Sequence, residues 1–223
     1  MAQQDRAIRT RQSILAAAAT VFNERGYNSA TIGEILARAE VTKGALYFHF
    51  ASKKELALGV FDAQMADVPT LPQTTKLQEL VDSGMVLAHR LSYEPLARAS
   101  MRLALDQGAT GLDRGAPFRT WIELNLRTLR EARDQGELLP HINLADTAEV
   151  FAGAFSGVQM MSQVTSDGSD LSYRISVLLK HLMPSIAVAA VLASLDIGPD
   201  RGVRILAEMN LGADLNAATG SAG

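Results

Sequence analysis

The chain has no cysteine, which excludes a disulfide framework and any thiolate metal site. Aromatic residues make up only 5% of it, with a single tryptophan, Trp121. No apolar run is long enough for a bilayer. The longest, near Ile186–Leu195, is about half of the roughly 20 residues a membrane helix needs. The opening residues, MAQQDRAIRTRQ, are polar and hold no signal-like apolar core. The expectation is a cytoplasmic protein with no membrane partner. The four histidines, at positions 49, 89, 141 and 181, show neither HExxH nor paired metal spacing. No Gly-x-Ser-x-Gly context is present. No catalytic residue, metal or cofactor is expected; an enzyme would need folding to bring together a set such as Ser162, Asp106 and His181.

What is present favours helices. Hydrophobic residues reach 48% of the 223 positions, rich in Ala and Leu, enough for one large or two small domains. The net charge of −3 hides an asymmetry. Residues 1–54 hold eight basic side chains against four acidic ones, a surplus of four, and the remainder runs to a deficit of seven. A basic segment on an acidic body suits a polyanion-binding head.

Nearly every segment reads as helix. Ile8, Ile14, Leu15, Ala18, Val21 and Phe22 recur at helical spacing, and Gly26 is a stop signal. Thr31 with Glu34 forms a capping-box pattern that opens a short helix to Ala39. Thr42 caps a second, to Phe50, and Ser52 with Glu55 opens a longer one to about Val68. Beyond the prolines of VPTLPQTT come periodic segments at 76–93, 95–107, 117–135, 144–164, 171–195 and 199–211. Pro184 is a kink signal in the segment 171–195, and the tail 216–223 reads as disordered. The fold class expected is all-α: a three-helix head over 1–52 and a larger helical domain over 53–215.

Two short helices a tight turn apart, flanked by longer ones, have the layout of a helix-turn-helix. On the second helix Leu46 and Phe50 share one face, Gly44, Ala45 and Phe48 point the other way, and Lys43 and Tyr47 lie together on a flank. Lys43 suits a guanine edge, and Tyr47 a phosphate or a thymine methyl. Thr42, His49 and Lys53 suit phosphates, with Lys53 at a helix N-terminus. With Thr31, Gly44 and Ala45, these form the candidate DNA-contacting set.

The combination of Phe22, Gly26-Tyr27, Thr31-Ile32, Ile35, Ala39, VTKGALYFHF over 41–50 and Ser52-Lys53 resembles the TetR family of bacterial transcription regulators. The resemblance implies an all-helical homodimer with an N-terminal DNA-binding head and a C-terminal domain that binds a ligand and dimerises. Glu40 departs from the pattern, since the family often has Gly in that turn; a left-handed Glu40 costs roughly 1–2 kcal/mol. The stretches LDRGAPFRTW, GELLPH and GVQMMSQ, with the head, resemble the γ-butyrolactone-type autoregulator receptors of antibiotic-producing actinomycetes. That likeness implies a repressor of secondary-metabolism genes, released from an inverted-repeat operator by a small lactone or butenolide. By the same likeness Trp121 is a pocket residue.

A lactone with an alkyl tail needs an apolar cavity with one or two polar handles. Trp121 supplies a flat wall and one donor. Phe151, Phe155, Val158, Gln159 and Ser162 fall on one helix face, Met85, Met101 and Leu105 recur on other segments, and Gln64 ends the helix leaving the head. Small residues in AGAFSG suit close helix approach, so the segments 144–164 and 171–195 are candidates for a four-helix dimer interface. Two heads would then meet half-sites about 34–36 Å apart or a multiple of it. Two alternatives stay open: a TetR-type efflux regulator answering a drug, with Glu123 and Glu149 as its acidic groups, and a receptor-like homologue without lactone response.

Overall fold

The structure, a computed structural model, describes residues 2–66, 71–106, 109 and 111–209; the side chains of 2–5 and 64–66 fall outside the description. Among the described residues all regular structure is helical apart from one isolated antiparallel bridge, Leu138 to Ala187. The helices are α1 (Ala2–Ser29), α2 (Ile32–Ala39), α3 (Lys43–His49), α4 (Lys53–Ala66), α5 (Lys76–Tyr93), α6 (Pro95–Leu105), α7 (Ala116–Asp134), α8 (Leu144–Ser166), α9 (Leu171–Ile186) and α10 (Ala189–Ser194). A further helix, α11, covers 201–209. The chain divides into two compact units, Met1–Asp67 with Tyr93–Thr120, and Val68–Ser92 with Trp121–Gly223. The first unit thus holds α4 and α6 together with the three head helices, whereas the sequence suggested a division at residue 52. Residues 67–70 and the tail from 210 lie outside the described residues, and with them the expected end of α4 near Val68 and the expected tail.

Local chemistry sets the head. Gly26 sits at φ 75, ψ 168, a conformation open essentially to glycine, and breaks the path of α1 before its last residues turn helical again. The Thr31–Glu34 capping box forms in full: the Glu34 N–H donates to Thr31 Oγ1, and the Thr31 N–H to Glu34 Oε2. Glu40 is left-handed, at φ 54, ψ 39, so the turn between α2 and α3 accepts that strain without glycine. Thr42 Oγ1 caps α3 through the Ala45 N–H. Ser52 Oγ caps α4 through the Glu55 N–H, while Glu55 returns to the N–H of Ala51, not to that of Ser52. The core beneath comprises Ile14, Ala18 and Phe22 of α1, Ile35 of α2, Leu46, Phe50, Leu56 and Val60, closed by Ala99 and Leu103 of α6.

In the second unit α5 is buried along most of its length. Its Asp82, 1% exposed, takes a two-pronged ion pair from Arg201 of α11, at 2.8 and 2.9 Å. The segment 171–195, expected as one helix, is two. Past Pro184, Ala187 turns extended, and the chain there trades helical hydrogen bonds for Leu139 N–H to Ile186 O and Val188 N–H to Glu137 O.

Candidate DNA-reading helix and ligand site

On α3 the buried side is Leu46 and Phe50, at 0% and 2% exposure. Lys43, Gly44, Tyr47 and Phe48 are exposed, and Ala45 and His49 half-buried. The Lys43 Nζ lies 5.9 Å from the centre of the Tyr47 ring, so the two form one polar unit on the flank the sequence assigned them. Thr31 and Thr42, also candidates, have their hydroxyls committed to the caps of α2 and α3. Their backbone and methyl surfaces remain at the helix starts.

Lys53 turns inward. Its Nζ donates to the Asn28 carbonyl at 3.1 Å and sits 4.7 Å from the Tyr27 ring centre. Burial holds its pKa below the ordinary lysine value, and the Glu34 charge opposes that shift. The ammonium thus ties the start of α4 to the end of α1. Phe48, absent from the sequence-derived set, is the most exposed aromatic of α3 at 80%. Its signal was available: it falls on the face opposite Leu46 and Phe50.

Within the second unit, Trp121 of α7 is 4% exposed and packs on two rings of α8, Phe155 edge-on at 4.8 Å and Phe151 at 5.4 Å. One turn along α7 from Trp121 is Asn125, 1% exposed; one turn along α8 from Phe155 is Gln159, 9% exposed. Four polar atoms here find no hydrogen-bond partner among the described residues: Trp121 Nε1, Asn125 Nδ2 and Oδ1, and Gln159 Oε1. Such burial without a partner is costly, and a bound water, an ion or a ligand that completes the bonding removes the cost. Met85 is fully buried in the same unit, where Phe151 Cζ approaches neighbouring Gly84. Asn125 was missed because its amide reads in sequence as one more polar residue of α7.

The remaining sequence candidates have surroundings of their own. Val158 faces an outer groove between α8 and α9, with Met161, Tyr173, Val177 and Leu178, not the ring cluster. Ser162 gives its hydroxyl to Asp170 at 2.5 Å. Met101 is buried and Leu105 half-buried on α6, in the first unit. The side chain of Gln64 lies outside the described residues. Ser162, Asp106 and His181 form no triad: Ser162 bonds Asp170, Asp106 accepts the Tyr27 N–H, and His181 Nδ1 meets the Val177 carbonyl of its own helix. Among the described residues no group of acidic, His or Cys side chains could hold a metal ion, and no helix is long and apolar enough to cross a membrane.

Residues 14–60, which span α2, α3 and most of α1 and α4, match the family described as bacterial regulatory proteins, tetR family. The chain is 39% identical over 208 residues to the A-factor receptor protein of Streptomyces griseus, covering 93% of this chain and 74% of that one. It belongs to the TetR family. The full-length TetR regulator TylP of Streptomyces fradiae superposes with a TM-score of 0.87 at 44% identity, over 91% of this chain and 98% of that one. An ArpA-like γ-butyrolactone receptor does so with a TM-score of 0.65 at 27% identity, over 91% and 98%. As a TetR regulator this protein binds operator DNA as a dimer and responds to a small ligand; it is not an enzyme.

Proposed function

We propose that the protein is a cytoplasmic repressor of secondary-metabolism genes that a small lactone or butenolide releases from an inverted-repeat operator. The observation that carries the ligand reading is the aromatic wall of Trp121, Phe151 and Phe155 beside the unpartnered polar atoms of Trp121, Asn125 and Gln159. A lactone carbonyl accepts from Trp121 Nε1 or Asn125 Nδ2; a hydroxyl on the ligand donates to Asn125 Oδ1 or Gln159 Oε1; an alkyl tail lies on the rings. The likeness to the A-factor receptor and to a γ-butyrolactone receptor supports the same class. The efflux reading loses its acidic groups, since Glu123 and Glu149 are both exposed and Glu123 pairs with Arg130.

Lys43 and Tyr47 carry base and phosphate contacts in this reading, with α3 presented to the major groove by the caps at Thr31 and Thr42. We assign the dimer contact to the outer face of α8 and α9, where Val150, Met160, Met161, Val164 and Tyr173 are exposed together. Ligand favours dimers whose heads do not fit both half-sites, with α4 carrying the shift.

Trp121 is the sole tryptophan, so its fluorescence reports the site directly. Titration with synthetic γ-butyrolactones of graded tail length is expected to shift that emission and, over the same concentrations, to release DNA. Unchanged emission and unchanged DNA binding across the lactones and butenolides would refute the ligand class. Release by a lipophilic cation instead would restore the efflux reading.

A further inference from the structure

Phe48 is left 80% exposed while Leu46 and Phe50 on either side of it anchor α3. The fold therefore makes little use of its ring. The ring is nonetheless held, edge-on to His49 with centres 5.0 Å apart and planes at 83°. The surface around it is low: Gly44 and Ala45, four and three positions earlier, share its face and bring the helix backbone close to whatever it meets. The other exposed aromatic of α3, Tyr47, ends in a hydroxyl and has Lys43 over its ring. The two aromatics thus present different chemistry, polar on the flank and purely hydrocarbon at Phe48.

A base edge in the major groove offers donors, acceptors and one apolar group, the thymine C5-methyl. A phenyl ring makes no strong hydrogen bond to those donors and acceptors, and phosphate oxygens repel its negative face. Placed in the groove by α3, Phe48 gains most from that methyl. We propose that Phe48 is a specificity-determining residue that packs on a thymine methyl in each operator half-site. The inference rests on α3 being the DNA-reading helix and goes beyond it in naming the base and the group read.

The test uses duplexes selected by the wild-type dimer from a random-sequence pool, measured at one fixed salt concentration. Each thymine is replaced singly by deoxyuridine, which keeps every hydrogen bond and removes only the methyl. At one thymine position, repeated symmetrically in the two half-sites, the wild type is expected to lose about three- to tenfold per half-site. Phe48→Ala should bind the parent duplex that much more weakly and be indifferent to deoxyuridine there, yet respond like wild type at other positions. Phe48→Leu should restore part of the methyl dependence. Since the ring is exposed, the thermal midpoint of Phe48→Ala should match the wild type. Losses that multiply independently at every thymine, a uniform loss on all duplexes, or selected half-sites without thymine would overturn the proposal. Selection of no duplex by the wild type would overturn the reading of α3 itself, an outcome distinct from these.

Discussion

Asp106 accepts the backbone N–H of Tyr27 at 3.1 Å, directly after Gly26 breaks the path of α1. The carboxylate stands just past α6, 79 positions away in sequence, and its Oδ2 is also the nearest neighbour to where a Gly26 side chain would begin, at 3.5 Å. Arg102 of α6 donates to the Asn23 carbonyl on the other side of the break. The kink therefore leaves a donor that Asp106, at the end of α6, satisfies.

Asp106→Ala strands that N–H in a half-buried position and is expected to cost about 1–2 kcal/mol. Asp106→Asn keeps a carbonyl acceptor and should cost less. Urea unfolding of both variants checks the order; equal losses would mean that the bond to Tyr27 contributes little.

Asn125→Leu is expected to raise stability by about 1 kcal/mol in the ligand-free protein, because it removes two buried polar atoms without partners. The same variant should answer lactones at least tenfold more weakly. Thermal unfolding and DNA release, measured side by side, check this trade of stability against function.

Arg201→Met leaves Asp82 charged and buried, and is expected to cost about 3–5 kcal/mol. Adding Asp82→Leu should recover most of the loss, since an apolar pair of similar size replaces the ions. Chemical denaturation of the single and double variants gives the coupling.

Hydrogen bonds from Ser162 and Ser166, with Arg174 alongside, hold Asp170 at about 2, below its ordinary 3.8. A folded-state pKa below the unfolded one means stabilisation that is complete above the unfolded value and lost as pH falls through the folded one. Wild-type stability should therefore drop between about pH 4 and pH 2 by more than that of Asp170→Asn. Calorimetry over that range measures the difference; parallel curves would deny Asp170 the role.

Lys43→Ala is expected to cost about 1–3 kcal/mol of operator affinity and to relax preference at one base position per half-site, with the salt slope unchanged. A uniform loss across sequences with a shallower slope would move Lys43 from a base to a phosphate. Binding at several salt concentrations separates the two outcomes.

The head was legible in the sequence because its determinants are local. A capping box spans four residues, Thr31 to Glu34, and a buried helix face repeats every three or four, as Leu46 and Phe50 do. Such short-range bonds need no distant partner, although at the start of α4 Glu55 returns to Ala51 and not to Ser52. The body's helices were legible for the same reason, except past Pro184, where the extended Ala187 depends on partners at Glu137 and Leu139.

What only the tertiary structure decided are the partners of polar side chains. Lys53 reads as a free cation at a helix start, yet its ammonium lies between the Asn28 carbonyl and the Tyr27 ring, 25 positions or more away. Ser162 and Val158 share a helix with Phe155, yet one is captured by Asp170 and the other faces outward. Asn125 is a candidate only because no neighbour among the described residues satisfies it. Periodicity states which face a residue occupies, but hydrogen bonds act over about 3 Å, so whether a buried donor or acceptor is satisfied depends on chain segments that meet only when folded.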